Sequence, residues 1–147
     1  MTEQISQSIT AMQPFARIIG TWRNKAHTEL IHHVEWGVEQ RIVNMHSHAP
    51  DGTLVSEGSW FWHPGEGAIK GVAVAVKMPV AFFDYTVKSF KGDVLEMALT
   101  AYNQAGEPAE HIETWTFTDD DHYTFTLQAK TPEGWAQIMA FGFERQA

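Results

Sequence analysis

The sequence has no cysteine, so neither disulfides nor thiolate metal sites can contribute to its fold or chemistry. Basic residues are also scarce: ten Lys and Arg stand against eighteen Asp and Glu, a formal net charge of −8 with histidine neutral. A surface of that sign repels nucleic-acid phosphates and anionic membranes, and neither is expected as a partner. Apolar runs are short, none approaching the ~20 residues of a membrane-crossing helix. The opening MTEQISQSIT has neither the basic stretch nor the apolar run of a secretory signal, so a cytoplasmic location is expected. Also missing are a Gly-X-Ser-X-Gly elbow, a phosphate loop and a Gly-X-Gly-X-X-Gly fingerprint, which removes the motif-borne cases for hydrolases and nucleotide enzymes.

What the chain does have is aromatic mass, 12% of residues including six Trp. Rings at that density build a thick core or line a pocket. A length of 147 residues fits one domain, 1–147, large enough to bury a core without a staple.

Ile5, Ile9 and Met12 fall at helical spacing and Pro14 limits the run, which predicts one short N-terminal helix. Trp22, Asn24, Ala26, Thr28 and Leu30 then alternate with polar residues, the pattern of a half-buried strand. Further strands are read over Leu54–His63, Ile69–Met78, Ala81–Phe90, Val94–Tyr102, His111–Phe117, Tyr123–Leu127 and Trp135–Arg145. Turn chemistry separates them at Pro50-Asp51-Gly52, Pro64-Gly65, Gly92-Asp93, Asn103–Pro108 and Asp119-Asp120-Asp121. No intervening helix is long enough for a crossover between parallel strands. The fold class expected is therefore all-β, an antiparallel up-and-down β-barrel of about eight to ten strands with a short N-terminal helix.

The stretch Trp36–His48 reads as the clearest strand. Glu39 and Arg41 mark a solvated face, which sends Trp36, Gln40, Ile42, Asn44 and His46 inward. An apolar wall dotted with amides and an imidazole has the composition of a binding cavity, since a buried polar group without a partner costs about 1–3 kcal/mol. The segment His32-His33-X-Glu35 before it reads as a solvated turn. On the strand from His111, the cost of exposing Trp115 and Phe117 turns His111 and Glu113 inward, where an imidazole and a desolvated carboxyl suit general acid–base work. Tyr85 and Tyr123 present phenols to the same interior. The pair His46-Ser47-His48 places two imidazoles on one side of a strand, but a metal needs at least three ligands and no third falls at a suitable spacing, so no metal is expected.

The passage Phe15-Ala-Arg-Ile-Ile-Gly20-Thr-Trp22 resembles the Gly-X-Trp signature that opens the first strand of lipocalins and their calycin relatives, which include fatty-acid-binding proteins. The resemblance implies that Trp22 packs at the closed end of a barrel beneath a basic residue from near the C-terminus, the place of Arg145 here. Glu57-Gly58-Ser59-Trp60 is similar to a passage of nitrobindin, a haem-binding relative, although Asn24 and Ala26 replace its glycines and its haem-ligating histidine has no match. The function expected is binding of a small, largely hydrophobic molecule, held by Trp36, Gln40, Asn44, Tyr85, Glu113, Trp115 and Tyr123, with no cofactor. The alternative is a cofactor-independent isomerase, cyclase or hydrolase using His46 and His111 as acid and base, and haem binding is a minor alternative. The composition leaves room for a homodimer.

Overall fold

A computed structural model describes residues 2–25 and 30–147 of the chain. Ala26 and Thr28 of the expected first strand, and the side chain of Ile5, lie outside the described residues. An N-terminal helix, α1 (Thr2–Met12), runs into a 3-10 helix over Gln13–Ile18 with Pro14 in its first turn. Ten strands follow among the described residues: β1 (Gly20–Asn24), β2 (Ile31–Trp36), β3 (Ile42–His48), β4 (Leu54–His63), β5 (Ala68–Ala75), β6 (Val80–Lys91), β7 (Val94–Asn103), β8 (Pro108–Asp119), β9 (His122–Thr131) and β10 (Gly134–Gln146). Each pairs antiparallel with its chain neighbour, and β1 pairs with β10, so the sheet closes into an up-and-down barrel. Among the described residues, closure leaves no free sheet edge. No helix among the described residues is long and apolar enough to cross a membrane.

The turns at Pro50-Asp51-Gly52, Pro64-Gly65 and Gly92-Asp93 sit where the sequence places them. At the β3–β4 connection the Asp51 carboxylate accepts the Thr53 N–H at 2.9 Å, an Asx turn. Two expectations fail. Trp36–His48 is two strands and a hairpin: Trp36 ends β2, the chain turns through Val38–Gln40, and β3 begins at Ile42. Glu39 and Gln40 take positive φ, 48° and 56°, and the Gly37 N–H reaches the Ile42 carbonyl at 2.7 Å to close the loop. Alternation counted across that turn inverts the faces of β3. Val43, Met45 and Ser47 point inward, paired with inward residues of β2 and β4, and Ile42, Asn44 and His46 point outward. The segment His32-His33-X-Glu35 is likewise strand, with His32 and Val34 inward and His33 and Glu35 outward.

The helical N-terminus packs on β4 and on the Val38–Gln40 turn and closes one end of the barrel. Met12, Phe15 and Ile18 are completely buried there, and Phe15 meets Phe90 edge-on at 5.4 Å. Burial of each such side chain is worth about 2–3 kcal/mol. Trp22 completes the floor, its indole N–H donating to the Ile18 carbonyl at 2.9 Å. Arg145, opposite Trp22 in the β1–β10 register, lays its guanidinium 4.3 Å from the Trp22 ring centre. It donates to the carbonyls of Ile19 (2.5 Å), Arg17 (2.8 Å) and Asp120 (3.0 Å). Gly20 is required beneath it, because φ is +135° there and a Cβ would collide with the guanidinium. Gly20, Trp22 and Arg145 are thus one unit that ties the first strand to the last.

Packing changes along the barrel axis. Toward the closed end the interior is filled by Trp22, Leu95, Met97, Trp115, Phe117 and Tyr123, all 4% exposed or less. Toward the other end the inner wall turns to small residues, including Ser56, Gly58, Ala73, Ala101 and Ala129. The larger inner side chains there, Phe83, His111, Leu127 and Phe141, keep part of their surface accessible, and Met139 is 45% exposed although it pairs with inward Leu127. Among the described residues no helix covers this wider end.

Candidate functional site

Glu113 is the polar centre of the interior. It lies on the inner face of β8, between Trp115 toward the closed end and His111 toward the wide end, and is 5% exposed. The Trp115 indole N–H donates to its Oε2 at 2.8 Å, and the Tyr85 hydroxyl approaches Oε1 at 3.5 Å, the outer limit of a hydrogen bond. Burial pushes the Glu113 carboxyl up to about 7, against the pull of those two donors. Burial also raises the Tyr85 and Tyr123 phenols well above their usual range, and the Glu113 charge adds to it. The rings pack tightly around the carboxyl: Trp115 stacks on Tyr123 at 4.7 Å, and Trp60 meets Trp115 edge-on at 5.9 Å. The Trp60 Nε1 is buried with no acceptor. Gly71 on β5 makes room for that indole, since a Cβ there would stand 2.9 Å from Nε1.

Across the lumen His32 and Ser47 form a second polar pair. They oppose each other in the β2–β3 register, both inward, and the imidazole Nδ1 is hydrogen-bonded to the Ser47 hydroxyl. The His32 ring rests on Phe143 with centres 4.9 Å apart. Burial, and secondarily the neighbouring His33, lowers the His32 pKa to about 4, so the imidazole is neutral at physiological pH. The sequence contains the signal for this pair, because His32, Val34 and Trp36 alternate with His33 and Glu35. That alternation is masked by the adjoining histidines, which resemble a polar turn.

The residues singled out from the sequence divide between the two sides of the wall. Tyr85, Glu113, Trp115 and Tyr123 come together inside, and His111 joins their face nearer the wide end, its Nδ1 3.1 Å from the Ala109 carbonyl. Trp36 is half-buried on the inner face near the closed end. Gln40 is exposed on the β2–β3 turn, so the cavity role expected for it loses its geometric basis. Asn44 and His46 line a shallow groove of about 360 Å³ on the outer wall, together with Glu57, Ser59, Val72 and Val74. There Asn44 accepts from Ser59 at 2.6 Å, and His46 stands between Glu35 at 3.8 Å and Glu57 at 3.5 Å. His46 and His111 therefore do not share a cavity. Among the described residues no three His, Asp or Glu side chains form a group that could hold a metal ion.

No protein-family model matches the chain, and no curated protein matches it.

Proposed function

We propose that this protein is a calycin-type barrel that holds a small, largely apolar molecule in the wide half of its lumen. The observation that carries this reading is the gradient along the inner wall. Trp22, Leu95, Met97, Trp115, Phe117 and Tyr123 of the closed half are 4% exposed or less, whereas Phe83, Leu127, Met139 and Phe141 retain accessible surface although their strands direct them inward. Apolar surface left open toward a lumen is stabilised when an apolar guest covers it, by about 25 cal/mol for each Å² removed from water. The unpartnered Trp60 N–H and the polar pair His32–Ser47 supply directional contacts for a polar end of that guest. Kinship with calycins is supported by the Gly20–Trp22–Arg145 seal beneath a closed antiparallel meander.

Titration with the uncharged fluorophore N-phenyl-1-naphthylamine tests the reading. Emission should rise and saturate with a Kd on the order of micromolar, about −8 kcal/mol. Ala129→Trp, which sets an indole on the inner wall opposite His111, should abolish the signal, and His46→Ala on the outer wall should leave it unchanged. A wild-type protein that gives no saturable signal, or an Ala129→Trp protein that binds equally well, defeats the reading.

One observation favours a second reading, an isomerase, cyclase or hydrolase type of step on a hydrophobic substrate. A carboxyl held near 7 beside a phenol can take and return a proton at neutral pH, so Glu113 would be the acid or base in place of His46. Its test is turnover of a bound carbonyl or ester substrate that Glu113→Gln abolishes without loss of binding.

A further inference from the structure

The ionisable groups that face the lumen are few. Among the described residues they are Glu113, Tyr85, Tyr123, His32 and His111; no Lys or Arg joins them. Arg17 and Arg145 are used outside the closed end, where Arg17 pairs with Asp93 at 2.7 Å and Arg145 lies on Trp22. Lys70 and Lys130 are on the outer wall in ion pairs with Asp84 and Glu110. Among the described residues the interior thus contains a carboxyl without a Lys or Arg beside it. Its two neighbours are uncharged donors, one of them 3.5 Å away. Around it stand the rings of Trp60, Tyr85, Trp115 and Tyr123, whose π faces attract positive charge.

Building on the ligand-binding reading above, we propose that the lumen takes an apolar molecule headed by a protonated amine, which meets Glu113, and that it turns away carboxylates. An ammonium supplies the charge that the buried carboxylate lacks and adds up to three donors. A carboxylate head would bring a second negative charge toward Glu113, and the remaining inner ionisable groups among the described residues, two phenols and the imidazoles of His32 and His111, include no fixed cation to offset it. Of these imidazoles, His32 is engaged by Ser47 and His111 points its Nδ1 at its own strand's backbone. The overall charge of −8 acts in the same direction, drawing cations toward the molecule and repelling anions.

Three probes with one tail and different heads test this: n-octylamine, n-octanol and n-octanoate, each displacing N-phenyl-1-naphthylamine at pH 8 from wild type and from Glu113→Gln. In wild type the amine should compete about tenfold more strongly than the carboxylate and about threefold more strongly than the alcohol. In Glu113→Gln the gap between amine and alcohol should close. Octanoate binding as tightly as the amine, octanol equal to the amine in wild type, or an amine preference that survives Glu113→Gln would each overturn the proposal. If the fluorophore binds and none of the three displaces it, the head preference falls and the lumen reading stands. If the fluorophore itself does not bind, both fall.

Discussion

Replacing Glu113 by Gln should make the protein more stable in alkaline solution and leave it nearly unchanged in acid. The carboxyl is buried among rings, 5% exposed, and burial moves its pKa from 4.5 to about 7. A folded-state pKa above the unfolded one means that the native protein holds a proton the unfolded chain has released. The sign of the linkage follows: the carboxyl's contribution is fully present below pH 4.5, and is lost as pH rises through 7. A shift of that size corresponds to about 3 kcal/mol. Gln preserves the shape, can accept from Trp115 and cannot ionise. Its advantage over Glu should therefore be about 3 kcal/mol from pH 8.5 down to pH 7, shrink between pH 7 and pH 4.5, and vanish below about pH 4. Urea unfolding followed by tryptophan fluorescence, at constant ionic strength across that range, measures the difference, and other titrating groups cancel in it. A difference constant with pH to within about 0.5 kcal/mol would mean that Glu113 ionises as freely in the fold as in the unfolded chain, contrary to its burial.

Two further outcomes follow from the same structure. Arg145→Ala strips the donors from three carbonyls and the cation from the Trp22 face, and should cost about 2–4 kcal/mol, lowering Tm by roughly 5–12 °C in calorimetry. Arg145→Lys should recover less than half of that, because one ammonium cannot reach all three carbonyls; an unchanged Tm in Arg145→Ala would remove the seal from the account. His32 should titrate near 4 in an NMR pH series, and its share of stability, complete above pH 6.5, should be lost as pH falls through 4. A midpoint at the ordinary 6.5 would show that the His32 ring is open to water.

Much of the barrel was legible because its punctuation is strong. Pro50-Asp51-Gly52 and Pro64-Gly65 bracket Leu54–His63, and that strand has the bounds they imply. β8 pairs with β7 without a slip from Pro108 to Thr116, so the cost of exposing Trp115 correctly carried His111 and Glu113 to the inner face. The failure at Trp36–His48 has a local cause. A tight hairpin built on Gly37 leaves no Pro or Asp-Gly to announce it, and Glu39 and Arg41, used as outward markers of a strand, belong to the loop. Parity is a one-bit inference, so one unrecognised turn exchanged Asn44 and His46 for Met45 and Ser47. His32 was missed with them, since its face could be assigned only after the hairpin was placed. The buried Glu113 carboxyl could be suspected from the sequence, but its lack of a counter-charge could not. That depends on all the basic side chains of the other strands lying elsewhere.

The pairing of β1 with β10 has a consequence for how the protein is made. Thr21 has Gln146 as its register partner, so the contacts that close the barrel join segments about as far apart as the chain allows. Contacts of such sequence separation form late, after the local hairpins. On a ribosome, a nascent chain still lacking residues 134–146 exposes two unpaired edges, on β1 and β9, and lacks the Arg145 guanidinium that covers Trp22. Such edges pair readily with other chains. Yield during synthesis should accordingly depend on how quickly the last strand is delivered, and nonsense mutations just upstream of it should give insoluble product instead of a slightly shortened barrel.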